Sequence, residues 1–140
     1  MTDKDLLYEV KNQVAWLTIN REAARNSISA QVTELFFEYL EAAEKDSDVR
    51  AICITGAGEK AFCSGADLSG AMTDSNDKDP FQRYAGLLKR IAGFPKPTVA
   101  RINGYCLAGG TGFMLGCDIV IAKEGITAFI EKRKPNFIGK

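Results

Sequence analysis

Two runs of small residues in this sequence could position backbone N–H groups for catalysis. The first covers residues 61–68 (AFCSGADL) and the second covers residues 103–110 (NGYCLAGG). Each follows a strand-like segment, and small side chains leave the backbone N–H groups there accessible to a ligand. Two preorganised N–H groups are the minimum needed to stabilise an oxyanion, such as the oxygen of a thioester that becomes an enolate. We therefore predict that the amides of Ala66 and Gly109 are the catalytic donors.

The composition limits the range of partners. The chain has 140 residues, which suits one domain, and its 18 basic residues equal its 18 acidic residues. Without an excess of positive charge, binding to nucleic acid or to an anionic membrane is not expected, and a small-molecule partner is favoured. The charged residues 1–5 are not followed by the apolar segment that a signal peptide contains, so a secretory signal is not expected. Residues 105–122 are apolar, but Asp118 and four glycines indicate a buried element and not a membrane span, so we expect a cytoplasmic protein.

The cysteine and histidine content narrows the chemistry. The chain has no histidine, and its four cysteines form no Cys-x-x-Cys pair. In a reducing compartment these thiols are expected to stay reduced and to pack as small apolar side chains. Without histidine, a nucleophile at Ser64 or Cys63 has no base to activate it, and most zinc sites are excluded. We expect no metal site, and catalysis must use carboxylates, backbone dipoles or a bound cofactor.

Hydrophobic periodicity predicts alternating strands and helices, and hence an α/β fold. Residues 8–19 are typical of a hairpin around residues 11–13, because side chains alternate between two faces. Ser29 is the predicted N-cap of a helix whose apolar side chains recur every three or four residues. Residues 51–55 are apolar on both faces, which indicates a buried parallel strand.

The second half of the chain continues this alternation. Asp79 as N-cap and Pro80 as the first helical residue predict a helix to about Phe94. The apolar stripe of this helix is predicted at Phe81, Tyr84, Leu88 and Ile91. Further predictions are strands over residues 98–102 and 119–121, a short helix from near Gly109, and a terminal helix before Pro135.

Taken together, the two small-residue runs and several other motifs in order resemble the crotonase family, the enoyl-CoA hydratase/isomerase superfamily. The other motifs are residues 20–29 (NREAARNSIS), 96–100 (KPTVA) and 116–119 (GCDI). The resemblance implies a spiral of ββα units. In that family the thioester carbonyl lies between two backbone N–H groups, which map to Ala66 and Gly109. The second donor also opens a helix, whose N-terminal partial charge adds to the hydrogen bonds.

The resemblance also implies contacts for coenzyme A, which would enter as part of the substrate and not as a separate cofactor. Family members hold coenzyme A against backbone that corresponds here to Ser64, Asp67, Leu68 and the segment near Arg25. Arg25 is the candidate for the phosphates. The terminal helix of the family offers a phenylalanine and a lysine, often to a neighbouring subunit, and these positions match Phe129 and Lys132. Ordinary structural roles are open alternatives, with Asp67 as a turn cap, Arg25 solvated, and Phe129 and Lys132 as helix residues.

Two departures from the family pattern bear on activity. Family hydratases carry a glutamate three residues after the second donor glycine, and this chain has Gly112 there. Glycine has no titrating group, so that general base is missing. The second departure is length, because roughly half of a family member is absent between two recognisable parts. These parts are residues 1–124, an N-terminal core with the oxyanion hole and the coenzyme A site, and residues 125–140, which resemble the terminal helix.

The resemblance implies hydration or isomerisation of an enoyl-CoA, as in fatty acid metabolism, by a homo-oligomer that is a trimer or hexamer in the family. Buried-type strands at Ile52, Val99 and Ile119 need cover on both faces, and few helices remain to provide it, so exposed edges would favour self-association. Without the glutamate we expect weak acyl-CoA binding and little or no hydration.

Two other functions stay open at this point. The missing carboxylate is equally typical of a non-catalytic acyl-CoA-binding or oligomer-forming protein. A dinucleotide-binding module is suggested by the glycines of residues 110–116 after a strand. However, the acidic residue of the dinucleotide fingerprint would fall in the predicted terminal helix and not at the end of a strand.

Overall fold

The computed structural model describes residues 4–66, 80–106 and 110–122. The strands are β1 (Leu6–Lys11), β2 (Val14–Ile19), β3 (Ala51–Gly56), β4 (Ala61–Cys63), β5 (Thr98–Ile102), β6 (Tyr105–Cys106) and β7 (Ile119–Ala122). The helices are α1 (Ala30–Lys45), α2 (Pro80–Ala92) and α3 (Gly110–Gly116), and a 3-10 turn covers Glu22–Ala24. The predicted α/β class is confirmed. No helix in these ranges is long and apolar enough to span a membrane.

The predicted hairpin is formed by β1 and β2, which pair antiparallel around a two-residue turn. The turn residues Asn12 and Gln13 both have positive φ, 52° and 68°, as a type I′ turn requires. The predicted alternation along β2 is confirmed, because Ala15, Leu17 and Ile19 are fully buried while the residues between them are partly exposed. The hairpin therefore fixes which face of the sheet packs against the core.

The main sheet has the strand order β1-β2-β3-β5-β7, and every pair after the first is parallel. Parallel neighbours need crossover connections, which α1 supplies between β2 and β3, and α2 between β3 and β5. β4 and β6 form a second, two-stranded parallel sheet. Since β4 follows β3 and β6 follows β5 after short loops, both lie beyond the carboxyl ends of the main strands. Open α/β sheets commonly bind ligands at this edge.

Helix α1 begins at the predicted N-cap. The Ser29 side chain accepts a hydrogen bond from the Val32 backbone N–H at 3.1 Å, which satisfies one of the unpaired donors at the helix start. At the other end, the Lys96 ammonium donates to the carbonyl oxygens of Ala43 and Asp46 at 2.7 and 2.9 Å. A cation stabilises this end because the helix dipole is negative there.

Helix α2 faces the core with a stripe that differs from the predicted one. Tyr84 and Ile91 are buried as predicted. Phe81 was predicted in the stripe but is 43% exposed, whereas Leu87 lies outside the predicted stripe and is fully buried. Residues three and four apart share a helix face, so the sequence allowed either Phe81 or Leu87 on the inner face. Packing against the other elements places Leu87 there. The helix ends at Ala92, two residues earlier than predicted.

The helices meet in an aromatic cluster. The rings of Phe36 in α1 and Phe113 in α3 stack with centroids 5.1 Å apart. Tyr84 in α2 meets Phe113 edge-on at 6.0 Å. Stacked and edge-on pairs add to the free energy gained by burial, so this cluster fixes how the helices pack against the sheet.

Strand β7 lies at the edge of the main sheet among the described strands. Its side chains are unusually exposed for an apolar strand, at 50% for Ile119, 44% for Val120 and 56% for Ile121. Among the described elements, incomplete cover is therefore seen at β7, whereas Ile52 in β3 is fully buried, contrary to the expectation for that strand. Apolar edge strands of this kind favour pairing with another chain.

Candidate functional site

The two small-residue runs are brought together by the pairing of β4 with β6. Ala61 lies opposite Tyr105, and Cys63 lies opposite Cys106, with an irregularity in register between the two pairs. The chain continues from Cys63 to Ala66 and, in the neighbouring strand, over the same number of residues from Cys106 to the predicted donor Gly109. Because the two strands are parallel, β4 and β6 end on the same side of the molecule. Gly109 itself lies outside the described residues.

Two buried asparagines hold the loop that leads into β4. The Asn26 amide donates to the carbonyl oxygens of Ala57 and Ala61 at 3.1 and 2.7 Å. The Asn103 amide donates to the carbonyl oxygens of Gly58 and Ala61 at 2.9 and 3.1 Å. Both asparagines thus converge on the Ala61 carbonyl. Each also accepts a backbone N–H through its side-chain oxygen, so every polar atom of the two amides is used.

Gly104 lets the two runs approach each other closely. A Cβ atom at this position would lie 2.4 Å from the carbonyl carbon and 2.5 Å from the carbonyl oxygen of Lys60. These are backbone atoms, so they cannot rotate away as the end of a side chain could. The next residue, Tyr105, donates its N–H to the same Lys60 carbonyl at 2.9 Å. The absence of a side chain at Gly104 is therefore what allows β6 to pair beside β4.

Ala66 lies at the end of the described part of its loop. It forms an isolated parallel bridge with Ile28, in which the Ile28 N–H donates to the Gly65 carbonyl at 2.8 Å. This bond does not use the Ala66 N–H. Gly65 has a φ of 102°, a backbone conformation that favours glycine, and its N–H donates to the Cys63 sulfur at 3.3 Å. The loop before Ala66 is therefore held by one backbone bond, from Ile28, and by one bond to the Cys63 side chain.

A cavity of about 820 Å³ opens beside this loop. Its wall includes Arg25 and Ser64, two of the residues predicted to contact coenzyme A. It also includes Lys60 and Tyr105, which the sequence analysis did not assign to the site. The Tyr105 side chain is 62% exposed. A pocket of this volume is typical of small-molecule sites.

Two cations, Arg25 and Lys60, line this cavity together with one acidic residue, Glu22. Among the described residues, neither the Arg25 guanidinium nor the Lys60 ammonium takes part in an ion pair. Arg25 has a φ of 55° and follows the 3-10 turn, with its N–H bonded to the Glu22 carbonyl at 3.0 Å. Lys60 directly precedes β4. Cations in this position are suited to phosphate groups.

The thiol in the first run is not activated as a catalytic nucleophile. Cys63 is fully buried, and its burial raises the pKa of its thiol to about 12. At neutral pH the thiolate, which is the reactive form, is therefore scarce. This agrees with the prediction that Cys63 packs beside its strand.

Gly112 lies on α3, where it faces α2. A Cβ atom there would lie 2.8 Å from the Cδ1 atom of Leu88, the mobile end of that side chain. A larger residue would therefore require Leu88 to move. The acid nearest to this helix in sequence, Asp118, has a structural role, since its carboxylate accepts the Thr98 N–H at 3.0 Å.

The remaining predicted site residues lie outside the described ranges. They are Asp67, Leu68, Gly109, Phe129 and Lys132. The predicted N-cap Asp79 and the terminal helix of residues 125–140 lie outside these ranges as well. Their roles therefore stay predictions.

The main sheet is parallel except for its first pair, and a second small sheet lies at its carboxyl edge. Solved structures share this α/β architecture. An enoyl-CoA hydratase from Bacillus anthracis superimposes with a TM-score of 0.77 at 32% identity, over 85% of this chain and 47% of that chain. The family model for enoyl-CoA hydratase/isomerase matches residues 9–124. The chain belongs to this family, and the predicted crotonase-type fold is confirmed.

Curated relatives of this chain carry out different reactions on CoA thioesters according to their names. A short-chain-enoyl-CoA hydratase of Clostridium acetobutylicum is 36% identical over 125 residues, which cover 86% of this chain and 47% of the relative. A 1,2-epoxyphenylacetyl-CoA isomerase of Escherichia coli is 35% identical over 123 residues, which cover 84% of this chain and 47% of the relative. The chain thus spans about half the length of these relatives.

Proposed function

We propose that this protein binds an acyl-CoA thioester and stabilises its enolate between the amides of Ala66 and Gly109. The observation that supports the proposal is the parallel pairing of β4 with β6, because the two described strands end on the same side and precede the two candidate donors in sequence. Removal of one oxyanion donor in a well-studied enzyme costs about 3 kcal/mol of transition-state stabilisation, so two such donors would stabilise an enolate substantially.

The coenzyme A moiety would lie in the cavity whose wall includes Ser64, two residues before Ala66. Arg25 and Lys60 supply positive charge for its phosphates, and Ser64 supplies polar contact. Asp67 and Leu68 follow directly in sequence and would extend this wall. Phe129 and Lys132 of the terminal segment would complete it, from the same chain or from a neighbouring copy.

Hydration is expected to be slow or absent in this chain. Gly112 provides no carboxylate to activate water, and Asp118 is engaged by the Thr98 backbone. This favours a second candidate function, an acyl-CoA-binding protein without hydratase activity. We further propose that the protein is a cytoplasmic homo-oligomer, which the exposed apolar edge at β7 supports.

A charge-reversal experiment tests the binding proposal. Acetyl-CoA titrated into the protein in a calorimeter is expected to bind, and Arg25→Glu combined with Lys60→Glu is expected to weaken the affinity at least about tenfold, since both phosphate contacts become repulsive. The matched control is Arg50→Glu combined with Lys89→Glu, which changes the net charge equally at exposed positions that do not line the cavity.

The outcomes of this experiment separate the candidates. The control variant should keep its affinity within about twofold, because distant exposed charges are screened by salt. Absence of acetyl-CoA binding, or equal loss in both variants, would contradict the proposal. Tighter binding of NADH than of acetyl-CoA would instead favour the dinucleotide-binding alternative. Retained acetyl-CoA binding without crotonyl-CoA hydration would identify the protein as a binder.

A further inference from the structure

Two thiols lie opposite each other on the strands that lead to the two candidate donors. Cys63 on β4 and Cys106 on β6 are partners in the parallel pairing, directly after the irregularity in register that follows the Ala61–Tyr105 pair. Each stands three residues before a candidate donor, Cys63 before Ala66 and Cys106 before Gly109. A covalent bond between these sulfurs would therefore link the two strands at matching positions, three residues before each candidate donor.

The spacing of the strands suits such a bond. Paired strands lie about 4.7–4.9 Å apart, within the range of about 4.4–6.8 Å between Cα atoms that disulfides span. The two thiols also face the same neighbour, Tyr84 on α2. Burial, together with the negative charges that Cys63 and Cys106 would carry, raises the pKa of the Tyr84 hydroxyl. Both thiols are therefore near enough to Tyr84 for their charges to act on its hydroxyl.

We propose that Cys63 and Cys106 form a reversible disulfide when the protein meets a peroxide. The partly exposed Cys106 sulfur attacks one peroxide oxygen, the O–O bond breaks, and a sulfenic acid and water are formed. The Cys63 sulfur then attacks the Cys106 sulfur, the S–O bond breaks, and the hydroxide leaves with the Cys63 proton as water. Overall, two thiols and one hydrogen peroxide give one disulfide and two waters.

The two cysteines have different parts in this reaction. Cys63 is fully buried and its thiol has a pKa of about 12, which makes it a poor first nucleophile toward a solvent oxidant. It needs no solvent access to resolve a sulfenic acid on its strand partner. Cys106, which is partly exposed, is the site where the oxidant enters.

The disulfide would change the loop before Ala66. In the reduced protein the Cys63 sulfur accepts the Gly65 N–H at 3.3 Å. Turning this sulfur toward Cys106 removes that acceptor from the residue next to Ala66. We therefore expect the oxidised protein to bind acetyl-CoA more weakly. This expected effect rests on the proposed function, whereas the formation of the disulfide is independent of that function.

Peptide mapping after peroxide treatment tests the proposal. The full chain is treated with hydrogen peroxide, its free thiols are alkylated, and the intact mass and linked peptides are measured. We expect a loss of two hydrogen atoms, a Cys63–Cys106 linked peptide, and restoration of both thiols by dithiothreitol.

The matched control uses the other two thiols. Cys53 and Cys117 are also close enough for the charge of one to raise the pKa of the other. Cys53→Ser combined with Cys117→Ser should still give the linked peptide, whereas Cys106→Ser should abolish it. A link only between Cys53 and Cys117, only between copies of the chain, or overoxidation of Cys106 with Cys63 free would overturn the proposal.

Acetyl-CoA titration of the reduced and oxidised proteins tests the effect on the loop. Unchanged affinity in a fully linked protein would contradict the coupling to Ala66. Failure of the reduced protein to bind acetyl-CoA would contradict the proposed function, while the linked peptide would still establish the disulfide.

Discussion

Replacing Gly104 by alanine is expected to destabilise the protein by about 3 kcal/mol or more, because a new side chain would overlap fixed backbone. The added Cβ atom would lie 2.4 Å from the Lys60 carbonyl carbon. Relief requires β6 to move away from β4, which would break the Tyr105 N–H bond to the Lys60 carbonyl. Thermal unfolding followed by circular dichroism should show a melting temperature lower by roughly 10 °C.

The control for this substitution is Gly86→Ala, on α2. A Cβ atom there meets only the end of the Phe37 ring, at 3.9 Å. Alanine is favoured over glycine within a helix by up to about 1 kcal/mol, so this variant should unfold at the same or a higher temperature. Equal melting temperatures for Gly104→Ala and the unmodified protein would show that β6 does not need this close approach.

Asn103→Asp is expected to destabilise the protein by about 3 kcal/mol at neutral pH, although the two side chains have the same shape. Asn103 is 3% exposed, and its amide donates to the Gly58 and Ala61 carbonyls. A carboxylate would place an oxygen against both carbonyl oxygens. The Gly56 N–H would keep its acceptor, so the loss isolates the two donated bonds.

This second effect should depend on pH in a defined direction. Burial and the two facing carbonyls raise the pKa of the new carboxyl in the folded state above its unfolded value of about 3.9. Between these pKa values the folded state of the variant binds more protons than its unfolded state does. The variant therefore gains stability as pH falls. Urea unfolding at several pH values measures this. The deficit relative to the unmodified protein should shrink toward pH ~4.

The exposed hairpin residue Asn12 provides the control. Asn12→Asp is expected to change the free energy of unfolding by less than about 0.5 kcal/mol, without a comparable pH dependence. A deficit in Asn103→Asp that is constant from acid to neutral pH would contradict the role assigned to the donated bonds.

Local rules were sufficient for much of the fold. The hairpin of β1 and β2 follows from side-chain alternation, and the start of α1 follows from Ser29, whose side chain caps the helix as predicted. These features depend on residues that are close in sequence. The burial of α2 was only partly predicted, because spacing alone permits Phe81 or Leu87 on the inner face, and the choice depends on contacts with other elements.

The candidate site likewise has features that were predicted from the sequence and features that were not. The small-residue runs are visible in sequence, but their pairing through β4 and β6 involves strands too short to show periodicity. Lys60 was missed although it directly precedes Ala61, because its position beside Arg25 depends on how the 3-10 turn meets the loop. Asn26 was noted only as part of a motif, and its bond to the Ala61 carbonyl spans 35 positions of sequence.

The enolate of acetoacetyl-CoA provides the most direct test of the central claim. Two amides that stabilise an enolate by about 3 kcal/mol would lower the pKa of the bound ligand by about two units, so its near-ultraviolet enolate absorbance should rise at constant pH when protein is added. Excess acetyl-CoA should reverse the rise. If bound acetoacetyl-CoA keeps the absorbance that it has free in solution at the same pH, Ala66 and Gly109 do not form an oxyanion hole.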